Sequence, residues 1–150
     1  MKSGVLRHID IQATVNHRID RQLLIELVGH ELRRQKGWPN YQISIFLIDD
    51  RQIRVLKARY FGIRKATDVI SLNYTTVKGF LEGEIHISLE TARRQAKEYR
   101  VTVQEEVRRL AVHGLLHLLG YADDNPEDRQ IMADLETAAL VRLKKRLTLI

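Results

Sequence analysis

The stretch His113-Gly114-Leu115-Leu116-His117-Leu118-Leu119-Gly120-Tyr121-Ala122-Asp123 constrains this chain more than any other. Its leucines continue a helical period that runs from Val103 through Val107 and Leu110, so the segment reads as one amphipathic helix. Histidines at i and i+4 share a helix face with Cβ atoms about 5–6 Å apart, close enough to reach one cation. Gly120 ends the helix, because a glycine in the left-handed conformation turns the chain back on itself, and Asp123 then returns toward the imidazoles. HxxxHxxGxxD is the ligand spacing of extended zincin sites with Asp in the last place, and it leaves a fourth position for water. Such a site lowers the pKa of that water from about 15.7 to about 7. The other reading of the pair is two core histidines bonded to backbone carbonyls. The stop glycine and the acid directly after them favour the metal. Peptidases of the HExxH type carry a general-base Glu after the first His, and Gly114 at that place argues against peptidase chemistry.

Cysteine is absent, which excludes thiolate zinc sites, disulfides and a cysteine nucleophile, so a metal here must be held by imidazole and carboxylate. Hydrophobic residues at 44% and charged ones at 29% describe a globular chain. No apolar run is long enough to cross a bilayer and no signal-type apolar region opens the sequence, so the expected location is the cytoplasm, away from membranes. Without repeats or linkers, residues 1–150 are expected to form a single domain. A net charge of +6 favours an anionic partner such as nucleic acid. Arg51, Arg54, Lys57, Arg59, Arg64 and Lys65 cluster with Tyr60 and Phe61, a mixture suited to phosphate contacts and base stacking.

Alternation and turn residues predict strands over Val5–Ile11, Tyr41–Ile48, Val69–Tyr74 and Glu84–Ser88, with Gly79 and Gly83 in a hairpin or loose loop between the last two. Asp20 caps a helix carrying Leu23, Leu24, Leu27, Val28 and Leu32, which Gly37 and Pro39 stop. Asp49 or Asp50 caps one through Ile53, Leu56 and Tyr60 that ends near Gly62. Ser88 caps a helix whose inner positions are Ala92, Gln95, Ala96 and Tyr99, and Thr102 with Glu105 forms a capping box for the histidine helix. Asn125-Pro126 opens a last helix with Met132, Leu135, Ala139 and Leu143 inward. Strands and helices mix without strict alternation, which predicts an α+β fold: a small mixed β-sheet of about four strands covered by helices, with the metal site on the helix that ends in Gly120.

These residues resemble the YbeY family of single-strand-specific endoribonucleases that mature ribosomal RNA. The family's signature HGxLHLxGYDH is matched by His113, Gly114, Leu116, His117, Leu118, Gly120 and Tyr121. Its second signature, Tyr-Arg and then Pro-Thr-Asp-Val-Leu-Ser-Phe, is echoed by Tyr60 and by Thr67-Asp68-Val69-Ile70-Ser71, and Gly83-Glu84-Ile85 follows as the family's Gly-Asp/Glu-Ile does. The resemblance implies a metal-dependent endoribonuclease acting on single-stranded RNA in rRNA maturation and ribosome quality control. His113, His117 and Asp123 would hold one Zn2+, and His113, His117, Arg59 and Asp68 are the catalytic candidates. Ribosomal RNA precursors are the implied partners, with ribosomal small-subunit proteins beside them. The chain departs from the family at Asp123, where the last histidine belongs, at Ala122 in place of an acid, and at Phe61 in place of the arginine that faces the RNA phosphate. Phenylalanine offers no charge to a developing phosphorane, and Arg59 and Arg64 are the nearby substitutes. A ribosome-assembly or RNA-binding factor that cuts nothing is therefore the alternative. Ala66 and Leu72 read as packing changes, Ser71 as structural, Tyr121 as a packing residue fixing the turn, and Glu84 as a support for a ligand. His8, His17, His30 and His86 stay outside the site.

Overall fold

Each helix starts where a side-chain oxygen can take up backbone N–H groups that have no partner within the helix. The computed structural model describes residues 4–63 and 67–148. Along the chain run β1 (Arg7–Ala13), α1 (Arg21–Arg34), β2 (Asn40–Ile48), α2 (Asp50–Phe61), β3 (Val69–Asn73), β4 (Phe80–Ser88), α3 (Leu89–Tyr99), α4 (Val103–Leu118) and α5 (Pro126–Thr148). Asp20, Asp49, Ser88 and Thr102 cap α1 to α4 by accepting from the N–H of Leu23, Gln52, Thr91 and Glu105. Gln52 completes a capping box with Asp49, which settles the choice between Asp49 and Asp50. Asp50 instead accepts from Ser88 Oγ, Thr91 Oγ1 and Arg94 Nη2, tying the first turn of α2 to that of α3. No described helix is long and apolar enough to cross a membrane.

The strand order is β1-β2-β4-β3, with β1–β2 and β2–β4 parallel and β3–β4 antiparallel, so the expected mixed four-stranded sheet is present. Its register puts Ile11, Tyr41, Ile43, Ile45, Leu47, Leu81, Ile85 and Ile87 on one face, where α1 and α4 cover them, and α5 packs on those two helices to complete the main core. The opposite face carries Ile48, Ile70 and Leu72, packed on Ile53 and Leu56 of α2. Each large aliphatic side chain so buried contributes about 1.5–3 kcal/mol.

Several boundaries differ from expectation. β4 begins at Phe80 rather than Glu84, because Phe80–Gly83 pairs with Asn40–Ile43 of β2. Gly83 is thus a strand residue and not part of a loop; a Cβ there would lie 2.9 Å from Leu118 Cδ2, so its lack of a side chain lets α4 settle on the sheet. The turn falls at Gly79, whose φ of +82° glycine tolerates. β1 is shifted to Arg7–Ala13, since its pairing with β2 runs on to Ala13↔Leu47. Tyr99, expected inward, is 53% exposed and lies under the Arg109 guanidinium, 5.7 Å from its ring centre. Arg64, Lys65 and Ala66 lie outside the described residues.

Glu31 on α1 is buried and accepts from Arg142 Nε at 3.2 Å, joining α1 to α5. Burial pushes its carboxyl up, but the hydrogen bonds and charge of Arg142, with His30 and Arg34, outweigh this and hold it below its ordinary value. A depressed carboxylate gives stability that is present above its unfolded pKa, about 4.3, and lost as pH falls through the lower folded value. The stability gap between wild type and Arg142→Met, measured as a urea midpoint, should therefore shrink as pH drops below about 4. A gap independent of pH would contradict this account.

Candidate metal centre

Helix α4 is fixed on the sheet by two side chains of β3: Ser71 Oγ donates to the Gly114 carbonyl at 2.7 Å and Asn73 Nδ2 to that of Leu118 at 3.1 Å. Ser71 is structural, as expected. Gly114 faces the sheet, and a Cβ there would stand 2.6 Å from Ile85 Cγ2 and 3.2 Å from Ser71 Oγ. A glutamate at this place would point into β4 and not into a cleft, which is the physical reason the HExxH pattern does not fit this helix. Gly114→Ala should overpack the contact by about 1–3 kcal/mol and lower the melting temperature by roughly 3–10 °C. Thermal unfolding followed by circular dichroism checks this, and an unchanged melting point would contradict it.

The end of α4 positions the second histidine. Leu119 remains right-handed, Gly120 takes φ +100°, and the N–H groups of Gly120 and Tyr121 donate to the carbonyls of His117 at 3.1 Å and Leu116 at 3.0 Å. These are the paired bonds of a Schellman turn. The turn carries the Tyr121 carbonyl back over the helix face, where it accepts from His117 Nδ1–H at 3.0 Å. Tyr121, 37% exposed, thus contributes to the site through its backbone carbonyl.

His113 is oriented from α5. Its Nδ1–H donates to Glu136 Oε2 at 2.8 Å, and Glu136, only 5% exposed, also accepts from Arg109 at 3.1 Å. Arg109 in turn is clamped by both oxygens of buried Glu106, at 2.9 and 2.6 Å. Carboxylate and carbonyl oxygens accept only, so both neutral imidazoles carry their proton on Nδ1 and present a bare Nε2 lone pair. The two Nε2 atoms stand 3.1 Å apart, and Asp123 Oδ2 is 3.5 Å from that of His113 and 3.3 Å from that of His117.

Three electron-rich atoms at such spacings repel one another unless a proton or a metal cation lies between them. A tetrahedral ion with arms of 2.0–2.1 Å has donor-to-donor edges of about 3.3–3.4 Å, so this triangle fits a zinc-sized ion. The expected set of His113, His117 and Asp123 is therefore a group that could hold a metal. Burial pushes the His113 imidazole pKa down, but the hydrogen bond and charge of Glu136, followed by Asp68 and Asp123, outweigh it and raise the value.

The triad opens on a cleft of about 420 Å³ whose lining includes Lys57, Phe61, Asp68, Ser71 and Asp124. Asp68 is there as expected, its Oδ2 accepting from Gln95 Nε2 at 3.2 Å. Arg59 is not brought in: it is exposed on the last turn of α2 and does not line the cleft, whereas Lys57 does. Phe61 lines it too, 51% exposed, with Lys57 Nζ 5.2 Å from its ring centre. Glu84 does not support a ligand. It lies on the opposite sheet face, accepting from His86 Nε2 at 2.9 Å and from Tyr74 OH at 3.4 Å. Burial, with Tyr60 and Glu84 beside it, pushes the Tyr74 hydroxyl up to about 12. His86 stacks on Phe46 with ring centres 4.4 Å apart, His30 pairs with Glu31 at 3.4 Å, and His17 accepts from the Ile19 N–H, all away from the triad.

Glu136 is the residue that sequence reasoning missed. It lies four residues after Met132 and three before Ala139, on the buried stripe of α5, while Leu135 is only half-buried. An acid on a core stripe was the available signal.

The family model described as Endoribonuclease YbeY matches residues 8–144 of the chain. An Endoribonuclease YbeY of Desulforamulus reducens is 41% identical over 129 residues, covering 80% of this chain and 84% of that protein. The Aquifex aeolicus Endoribonuclease YbeY is 34% identical over 141 residues, covering 84% and 94%. The solution structure of a Thermotoga maritima protein shares the fold with a TM-score of 0.64 at 19% identity, over 94% of this chain and 92% of that one. The signature around His113 and His117, the geometry it produces and these matches agree: the chain belongs to the endoribonuclease YbeY family.

Proposed function

We propose that this chain is a zinc-dependent endoribonuclease that cuts single-stranded RNA, acting in the cytoplasm on ribosomal RNA precursors during rRNA maturation and ribosome quality control. Residues 1–150 act as one such domain. The observation that carries the reading is the triangle of donors, 3.1, 3.3 and 3.5 Å on its edges, lining a cleft in a chain of this family. His113, His117 and Asp123 would hold the ion, and a set of two imidazoles and one carboxylate suits zinc. Zinc supplies Lewis acidity and water of lowered pKa when bound. Glu136 and the Tyr121 carbonyl keep both imidazoles turned toward the centre. Asp68, within the cleft and fixed by Gln95, is the residue placed to accept a proton or orient water. Arg59 can meet RNA only outside the cleft.

Incubating the purified protein with a single-stranded rRNA fragment, with zinc or with a chelator, tests the reading. Internal cleavage that needs the metal is expected. Tight binding without cleavage in the presence of zinc would refute it and favour the second reading, an RNA-binding factor in ribosome assembly that contacts small-subunit proteins. That second reading draws on Phe61, which puts an uncharged ring in the cleft, and on Ala122, exposed beside Asp123.

A further inference from the structure

We propose that Lys57 is the phosphate-contacting residue of the cleft and that Phe61 positions its ammonium, a reading that rests on RNA as the substrate. The cleft is lined by the carboxylates of Asp68, Asp123 and Asp124, and among its described lining residues Lys57 is the only Lys or Arg. A polyanionic strand entering between three carboxylates is repelled at close range, and a basic side chain on the cleft wall offsets that repulsion, above all in the metal-free protein. At physiological salt, exposed charges beyond about 8 Å are largely screened, so a basic group on the cleft wall acts on the strand more strongly than a distant one.

The placement of Lys57 follows from helix geometry. Lys57 and Phe61 are four residues apart on α2, so they share a face, and the Nζ rests 5.2 Å from the ring centre. A cation held over an aromatic ring keeps its charge while losing rotamer freedom, so the ammonium is poised at the cleft before a strand arrives. Phe61 brings no charge to the cleft, yet it holds one there. The ammonium can donate to a phosphate oxygen as a point charge without the bidentate geometry an arginine would impose.

The test is binding of a fluorescein-labelled oligouridylate by the full chain, followed by fluorescence anisotropy in chelator, where no cleavage intervenes. Lys57→Met should weaken binding about fivefold at ~0.1 M salt and make the log–log salt slope shallower by about 0.7, the share of one phosphate contact on a single strand. Lys57→Arg should restore both. Lys145→Met removes the same charge from the last turn of α5, roughly 30 Å along that helix from its start, and should change neither measurement appreciably. Phe61→Leu should weaken binding about twofold to fivefold in wild type and have no effect in the Lys57→Met background.

A Lys57→Met protein with wild-type affinity and slope, or one that loses no more than Lys145→Met, overturns the proposal. A Phe61→Leu effect that persists without Lys57 overturns the positioning role and points to base stacking on the ring. Wild-type protein that binds this RNA but never cuts it with zinc would overturn the nuclease reading alone and leave the Lys57 contact standing.

Discussion

His117→Ala and His113→Ala proteins will purify with little or no zinc and cut single-stranded RNA at background level. Each variant removes one corner of a donor triangle whose edges are 3.1, 3.3 and 3.5 Å, leaving one imidazole and one carboxylate. Two protein donors do not hold an ion against bulk water at ordinary concentrations, since structural and catalytic zinc sites use at least three. Loss of several kcal/mol of charge stabilisation in the transition state corresponds to a rate loss on the order of 10³-fold or more. The fold should survive in His117→Ala, because His117 is partly exposed and bonds only to the turn carbonyl and the other site residues. Metal content by mass spectrometry beside a cleavage assay decides the matter. Equal metal in the wild type and both variants would remove the site altogether, and cleavage by a metal-free variant would remove its catalytic role.

Glu136→Gln should weaken zinc binding about 10–100-fold while leaving all three ligands in place. The amide is close in shape to the native carboxylate, but it lacks the charge that opposes Arg109 and draws density toward His113 Nδ1–H. A hydrogen-bonded carboxylate behind a ligating imidazole fixes the ring and raises the basicity of the far nitrogen, and losing such a partner has effects of this size. The variant also leaves part of the Arg109 charge facing only Glu106, so a lower melting temperature should accompany it. Zinc titration against a competing chelator measures the affinity. A change of less than about twofold would mean that the Schellman turn and Asp123 set the geometry without help from α5.

The helices were legible because their starts depend on neighbours in sequence. Asp20, Asp49, Ser88 and Thr102 bond to N–H groups three residues on, and no distant contact alters that local geometry. The α4 site was legible for the same reason: i and i+4 fix the two imidazoles on one face, and Gly120 fixes the turn that returns Asp123. Where sequence reasoning strayed, distance in sequence was the cause. Phe80–Gly83 has a weak strand signal of its own and becomes strand through its parallel pairing with Asn40–Ile43, some forty residues away. Glu84 resembled a support for a ligand, but strand alternation sends it to the face under α2, away from α4.

Sequence by itself thus determined the α+β class, the helix caps and the three residues that converge on the candidate metal site, all of which rest on spacings of four residues or less and on one glycine turn. Tertiary structure alone decided which groups surround those three. Glu136 reaches His113 from a helix that begins after the turn, Ser71 and Asn73 hold α4 on β3, and Lys57 rather than Arg59 faces the cleft. These choices depend on how α2, α4 and α5 pack across the sheet, and packing is set by the shape of the whole core rather than by any local run of residues.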